Sequence, residues 1–546
     1  MQATPKGNVL RVNSSTADDQ QNPSIAIDER GNFVIAWQSD SEEDEEEVLA
    51  RFFLPGGTAF APEFLVNSLR EGDQERPALG IDGIGNTIAV WQAENQGDAG
   101  SGIFAQQYEF SGDDFRENGS EFRINTTTEG RQQNPDVAFE PLGTDEENRE
   151  ARNFVVVWQN EGRTTNEVIG RDESGFGIFA QRYNSSGARQ GRAFLVNTTT
   201  DRAQINPAVA TDSAGNFVVV WQSRTRNNGY DIFAQRFDRF GNPINNQFQV
   251  NPRVRGDQIN PDVTVGPAGN FVVVWQDQEQ DGDGSGIYAR RYNARGNAVG
   301  AENLRVNSTT NGDQQTPSIG SDRQGNFTIV WASDSDDNFN VLGQQFGSNG
   351  SRIAGEFQVN KTTDNDQTLP QIAVRPNGNF VVAWQSDEGD DRGTDILARR
   401  FTVPQNSGGN GGNNGGNNNG GNDGSPPTTP SRPRQLRAAR SAPKADLIVG
   451  TVEDDLLNSS KGNDQGFGKA QWLGKAGGDR FVIGKGLGIK TILDFQPGKD
   501  QLILKGNLQL DDLVFLPQGR NTAIEVNGHP IAFLQGVNLT TESFSI

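Results

Sequence analysis

The chain has 546 residues, enough for more than one hydrophobic core, and its 66 glycines and 24 prolines suit short strands and tight turns. A net charge of −23 would repel a phosphate backbone, which argues against nucleic acid and favours cations. With no cysteine and one histidine, His529, the chain has no disulfides, thiolate metal sites, Ser-His-Asp triad or multi-histidine site.

The N-terminal stretch MQATPKGNVLRVN lacks the apolar core of a signal peptide, and no apolar run approaches the roughly 18 residues of a membrane span, so export is expected to use a C-terminal or other signal. Its end, Leu10 to Asn13, reads as an isolated strand. Beyond it a unit recurs seven times, marked by Trp37, Trp91, Trp158, Trp221, Trp275, Trp331 and Trp384 at the ends of apolar runs such as NFVVVW. A Gln-x-x-Pro motif ends at Pro23, Pro77, Pro135, Pro207, Pro261, Pro317 and Pro370, and six of these prolines lie 14 residues before the tryptophan. The third copy is 9 residues longer and contains GTDEENREAR.

Within one copy, the segments AVAT, NFVVVW, DIFAQRF and FQVN read as four strands joined by Gly/Asn hairpins, which makes a propeller blade. The last copy stops after DILARRFTV, without its FxVN strand. The first strand, VLRVN, supplies that missing piece. The expected fold is therefore all-β: a seven-bladed β-propeller over residues 1–404, closed by the N-terminal strand pairing into the last blade, which removes the exposed edges of an open array. The tryptophans are expected on an inner strand, filling the space between blades, and the Gln-x-x-Pro residues are expected in turns and caps.

A meander blade places its 2–3 loops and the crossings to the next blade on one face, where variable segments on a rigid scaffold are suited to binding. These loops are acidic, as in SDSEEDEEE, DQEQDGDGSG and SDEGDDRGTD. Two have the alternating carboxylate and glycine pattern that can wrap oxygen ligands round Ca²⁺: Asp277, Asp281 and Asp283, and Asp387, Asp390, Asp391 and Asp395. Glu43 to Glu47 reads as a solvated charge run.

Residues 405–445, rich in Gly, Asn and Pro, read as a disordered linker, and residues 446–546 as a small β domain with strands FVIG, TILDF, QLILKG, TAIEV and IAFLQG. The segments LIVGTVEDDLLNSSKGNDQGFG and WLGKAGGDRFVIGKGLGIKTILDFQPGKDQLILKG resemble the C-terminal region of RTX-type secreted proteins, especially the cyanobacterial form. The blade pattern also resembles repeats of large bacterial exoproteins of that kind. The resemblance implies export by a type I secretion apparatus, a place outside or on the surface of a Gram-negative, cyanobacterium-like cell, and calcium-assisted folding. The matching positions are Gly462, Asn463 and Asp464, then Gly474, Gly477, Gly478 and Asp479, whereas Ser459 and Ser460 stand where glycines belong.

Together these features lead to the expectation of a non-enzymatic, secreted or surface-bound adhesion protein. Its acidic loop face would hold an extracellular glycan, matrix polymer or surface protein with the help of Ca²⁺. The alternatives are an extracellular carbohydrate-active enzyme with paired carboxylates near the ring axis, and a structural matrix or sheath protein.

Overall fold

The computed structural model divides into two compact units, Met1–Ser407 and Gly408–Ile546. It describes residues 2–404 except 17, 41–44, 95–99, 111–113, 141–152, 162–174, 226–228, 253–254, 336–337, 388 and 390–392; after residue 446 it describes the strands, and the predicted linker lies outside the described residues.

The first unit is a seven-bladed β-propeller. Each repeat folds into an antiparallel meander of four strands, with one extra short strand in the second blade, and no helix occurs among the described residues. The first strands of the blades, from Gln20–Ile27 in blade 1 to Gln367–Val374 in blade 7, pack side by side around the axis and close on each other. The N-terminal strand Thr4–Arg11 is longer than the expected Leu10 to Asn13 and pairs with Thr394–Thr402, so blade 7 takes its outer strand from the start of the chain. Within each blade the FxVN asparagine fixes the outer strand. Its side-chain oxygen accepts the backbone N–H that opens the third strand's core, as in Ile178 N–H to Asn197 (2.8 Å), and Asn13 does the same for Ile396 at 2.8 Å.

Two features differ from expectation. The repeated tryptophans lie on the second strand, not the inner one, and all seven are at most 2% exposed between blades. The Gln-x-x-Pro motif is not a turn: it opens the inner strand, and its third residue forms a bulge with φ near +50° in every blade (Asn22, Arg76, Asn134, Asn206, Asn260, Thr316 and Leu369). Asparagine tolerates this left-handed conformation, and here it also bonds the glutamine after the tryptophan, as Asn206 does with Gln222 (2.8 Å). Gln222 in turn accepts the bulge N–H of the next blade, Asn260, at 2.8 Å, so a chain of amides links blades 3 to 6.

Leu369 breaks that pattern. Its φ is +49°, it has no amide, and the equivalent Gln385 Oε1 is buried without a partner among the described residues. Leu369→Asn should therefore stabilise the ring by about 1–2 kcal/mol, read as a higher denaturant midpoint at unchanged m-value.

Neighbouring blades are joined on the hairpin face by a second repeated contact. A third-strand arginine donates to a carbonyl in the next blade's 3–4 turn: Arg182 to Arg239 O (2.8 Å), Arg236 to Ala294 O (2.6 Å), Arg291 to Ser348 O (2.9 Å), and Arg400 to Pro55 O (2.9 Å), which spans the ring closure.

In the second unit, successive strands alternate between two sheets. One is parallel, in the order Leu447–Val449, Gln465–Phe467, Arg480–Gly484, Gln501–Lys505. The other runs Asp455–Asn458, Ala470–Leu473, Lys490–Ile492 and His529–Leu534 in parallel, then continues antiparallel through Asn521–Val526 and Leu513–Gln518. This is a two-sheet parallel roll, capped by an antiparallel hairpin.

Candidate functional site

On the loop face, five of the seven motif glutamines are preceded by an aspartate, which the crossing loop sets against the start of the preceding blade's third strand; Arg131 and Ala203 stand there in the other two. Asp19 accepts the Thr394 N–H (2.9 Å), Asp257 that of Tyr230 (2.8 Å), Asp313 that of Ser285 (2.8 Å) and Asp366 that of Phe339 (2.9 Å). Much of the loop acidity thus clasps blade to blade and is already committed to backbone donors.

The predicted calcium residues are placed as follows. Asp277 is fully buried and accepts the backbone N–H groups of Glu279 and Gln280 (both 3.1 Å) and the Gln280 side chain, which holds its own loop. Asp281 accepts from Asn307 at 3.2 Å, and burial pushes its carboxyl upward, as it does for Asp277. Asp283 is exposed. Asp395 is buried against the ring closure, bonded to Asn13 Nδ2 (2.6 Å) and paired with Arg11 (3.1 Å), and so joins strands instead of facing a ligand. Asp387 accepts the Gly389 N–H at 2.8 Å. Asp390, Asp391, Asp464 and Asp479 lie outside the described residues. Among the described residues no three His, Cys, Asp or Glu side chains come together as a group that could hold a metal ion.

The loop face does bring together a carboxyl pair that the charge-run reading of Glu43 to Glu47 passed over. Glu46 opens the third strand of blade 1, and Glu75 follows the motif glutamine of blade 2. They share a hydrogen bond, and both are raised, first by burial. For Glu46 the adjacent Glu75 and Asp40 charges add to this and push it up to about 7. Gln92 Nε2 donates to Glu75 at 2.7 Å, and Arg76, the exposed left-handed bulge residue, stands beside it. In three other blades the Glu46 position holds Ser101, Ser285 or Thr394, whose hydroxyls donate to the next blade's motif glutamine carbonyl (2.9 to 3.0 Å), and in the remaining three it holds the aromatics Phe176, Tyr230 and Phe339. Aligning the repeats with each other would have shown Glu46 as the exception.

Deeper along the axis the inner strands place two more carboxyls. Asp136 and Asp262 occupy the position of Ser24, Ala78, Ala208, Ser318 and Gln371 in the other blades. Each bridges to the next inner strand: Asp136 accepts the Val209 N–H (2.7 Å) and Asp262 that of Ile319 (2.8 Å). Burial pushes Asp136 up to about 7, with repulsion from Asp262 adding, and pushes Asp262 up to about 6. Both keep partial solvent contact. The channel thus holds carboxyl groups that change charge near neutral pH.

No protein-family description and no curated protein matches the chain. Among solved structures it is similar to a protein of unknown function from Dyadobacter fermentans, at 11% identity and TM-score 0.45 over 74% of this chain and 99% of that one. It is also similar to an ulvan lyase of polysaccharide lyase family PL25 (10%, 0.47, 71% and 95%) and to an α-L-arabinofuranosidase from Fusarium graminearum (11%, 0.42, 63% and 98%). The likeness is one of architecture and assigns no role to any residue here.

Proposed function

We propose that the propeller is an extracellular glycan-binding module whose working surface is the loop-face mouth of the channel around blades 1 and 2. The observation that carries this reading is the Glu46–Glu75 pair beside Arg76 and the Gln38 and Gln92 amides: a carboxyl pair, a guanidinium and amides together donate to and accept from sugar hydroxyls. Arg76→Ala with Glu75→Gln should weaken retention in affinity electrophoresis through soluble polysaccharides by about tenfold or more, on the order of 1.4 kcal/mol. Unchanged retention would remove this surface from the reading.

A carbohydrate-active enzyme is the second reading, favoured by the proton that Glu46 holds near neutral pH, as a general acid requires. New reducing or unsaturated ends released by the wild type and lost in Glu46→Gln, with retention intact, would decide for it. The C-terminal unit is read as an RTX-type secretion and calcium module, supported by its parallel roll and by the glycine and aspartate pattern around Asp464 and Asp479. Millimolar Ca²⁺ should raise a melting transition of the full chain, and Asp464→Ala with Asp479→Ala should abolish that shift; equal melting with chelator would overturn the calcium role.

A further inference from the structure

We infer that the propeller carries a second sugar-binding cleft on its opposite, hairpin face, between blades 3 and 4. It shares the glycan reading above but none of its residues. The cleft has a volume of about 210 Å³, is open to solvent, and its walls include Glu140, Asn153, Arg182, Gln190, Arg239 and Phe240. That is smaller than the roughly 300–1,000 Å³ of drug-sized sites, which limits the ligand held there to a short sugar unit.

The junction departs from the sevenfold repeat where the cleft lies. Phe240 is 67% exposed at the tip of the blade 4 hairpin, where the corresponding turns hold Ser186, Arg295 and Asn349. An exposed phenyl ring contributes nothing to the core, and its turn is rigid: Asp238 accepts the N–H groups of Phe240 (2.9 Å) and Asn242 (2.8 Å) and the Asn242 side chain (2.8 Å). Arg239 lies over the ring at 5.8 Å. Across the cleft, Asn153 Nδ2 holds both Glu140 oxygens (3.2 and 3.1 Å), which fixes the carboxylate as an acceptor. Arg182 spends its donors on Arg239 O (2.8 Å) and Gln190 O (3.2 Å), so it shapes the wall.

The result is a fixed aromatic plate flanked by a carboxylate, an amide and a guanidinium. A sugar ring matches this arrangement: its C–H face stacks on the phenyl ring while its hydroxyl edge bonds Glu140, Gln190 and Arg239.

Saturation-transfer NMR on the full chain with arabino-, xylo-, gluco- and rhamnoglucuronan oligosaccharides tests the site. For at least one probe, ring C–H protons should show transfer, Phe240→Ala should lower affinity about tenfold, and Phe240→Trp should retain it. Glu140→Gln should weaken binding in the same direction. Because Phe240 is exposed, its replacement should leave the melting temperature unchanged. Transfer that survives Phe240→Ala but is lost in Arg76→Ala with Glu75→Gln would overturn this cleft while supporting the loop-face site. No transfer from any probe would overturn it, as would sedimentation showing that Phe240 is covered by a second copy of the chain.

Discussion

Removing residues 1–13 is expected to cost the propeller its cooperative folding, with a loss of more than about 5 kcal/mol and a melting temperature lower by 10 °C or more. The deleted strand is the outer strand of blade 7. It buries Val12 (0% exposed) and Ala3 (5%), and Val12 N donates to Ile396 O at 2.8 Å. A buried aliphatic side chain contributes about 1.5–3 kcal/mol. Loss of Asn13 and Arg11 would also strand Asp395, whose side chain is 8% exposed and bonded to both. An unpaired buried carboxylate adds a further penalty, and the bared Thr394–Thr402 edge would invite pairing with another chain. Calorimetry and light scattering on the truncated chain check this, and adding the peptide VLRVN with its upstream residues in trans should recover part of the transition. A truncation that melts within a degree or two of the full chain would mean that the ring does not depend on this strand.

The closure was legible because it rests on a count: seven tryptophans, seven Gln-x-x-Pro motifs, and one FxVN strand found at the wrong end of the sequence. Strand number and order followed from alternation and hairpin glycines. What the pattern could not show is which strand faces the axis. Second-strand runs such as FVVVW are buried on both sides, and a run of that kind has no periodicity to distinguish inner from middle position. The bulge was hidden for a related reason. Asn22, Asn134, Asn206 and Asn260 suggest a turn, and only the paired strands show that the left-handed residue sits inside a ladder.

The site was less legible than the fold. Asp277 and Asp395 were singled out for their spacing in acidic loops, but spacing says nothing about which backbone N–H lies within reach, and both are held by the chain itself. Glu46 and Glu75 are 29 positions apart in different blades, and nothing in either loop marks them as neighbours. Asp136 and Asp262 replace Ser, Ala or Gln at a repeat position, a signal present in the sequence but visible only when the copies are laid over one another. The alternative expected carboxylates near the axis without naming residues, and Asp136 and Asp262 are the carboxyls that the inner strands place there.

Those axial carboxyls make the second large effect a dependence of stability on pH. Asp136 is raised to about 7 and Asp262 to about 6 from an ordinary value of 3.8, and Glu46 also reaches about 7. The folded ring therefore holds protons that the unfolded chain has released, so stability falls as pH rises from about 4 to about 7, by about 1.4 kcal/mol per unit for each fully protonated group. Carboxylates lowered by partners act in the opposite sense: Glu161, held down by Arg131, loses its contribution only as pH drops below the ordinary carboxylate range. The melting temperature should thus peak at about pH 4 to 4.5 and decline toward pH 8, an unfolding cost on the order of 3 kcal/mol after allowing for the partial solvent contact of both aspartates. Asp136→Asn removes one acceptor and should be slightly less stable than the wild type at pH 5, yet equal or more stable at pH 8, because the buried charge and its repulsion with Asp262 are gone. Urea titrations at pH 5, 6.5 and 8 read this as two crossing lines; parallel lines would show that Asp136 does not titrate in this range.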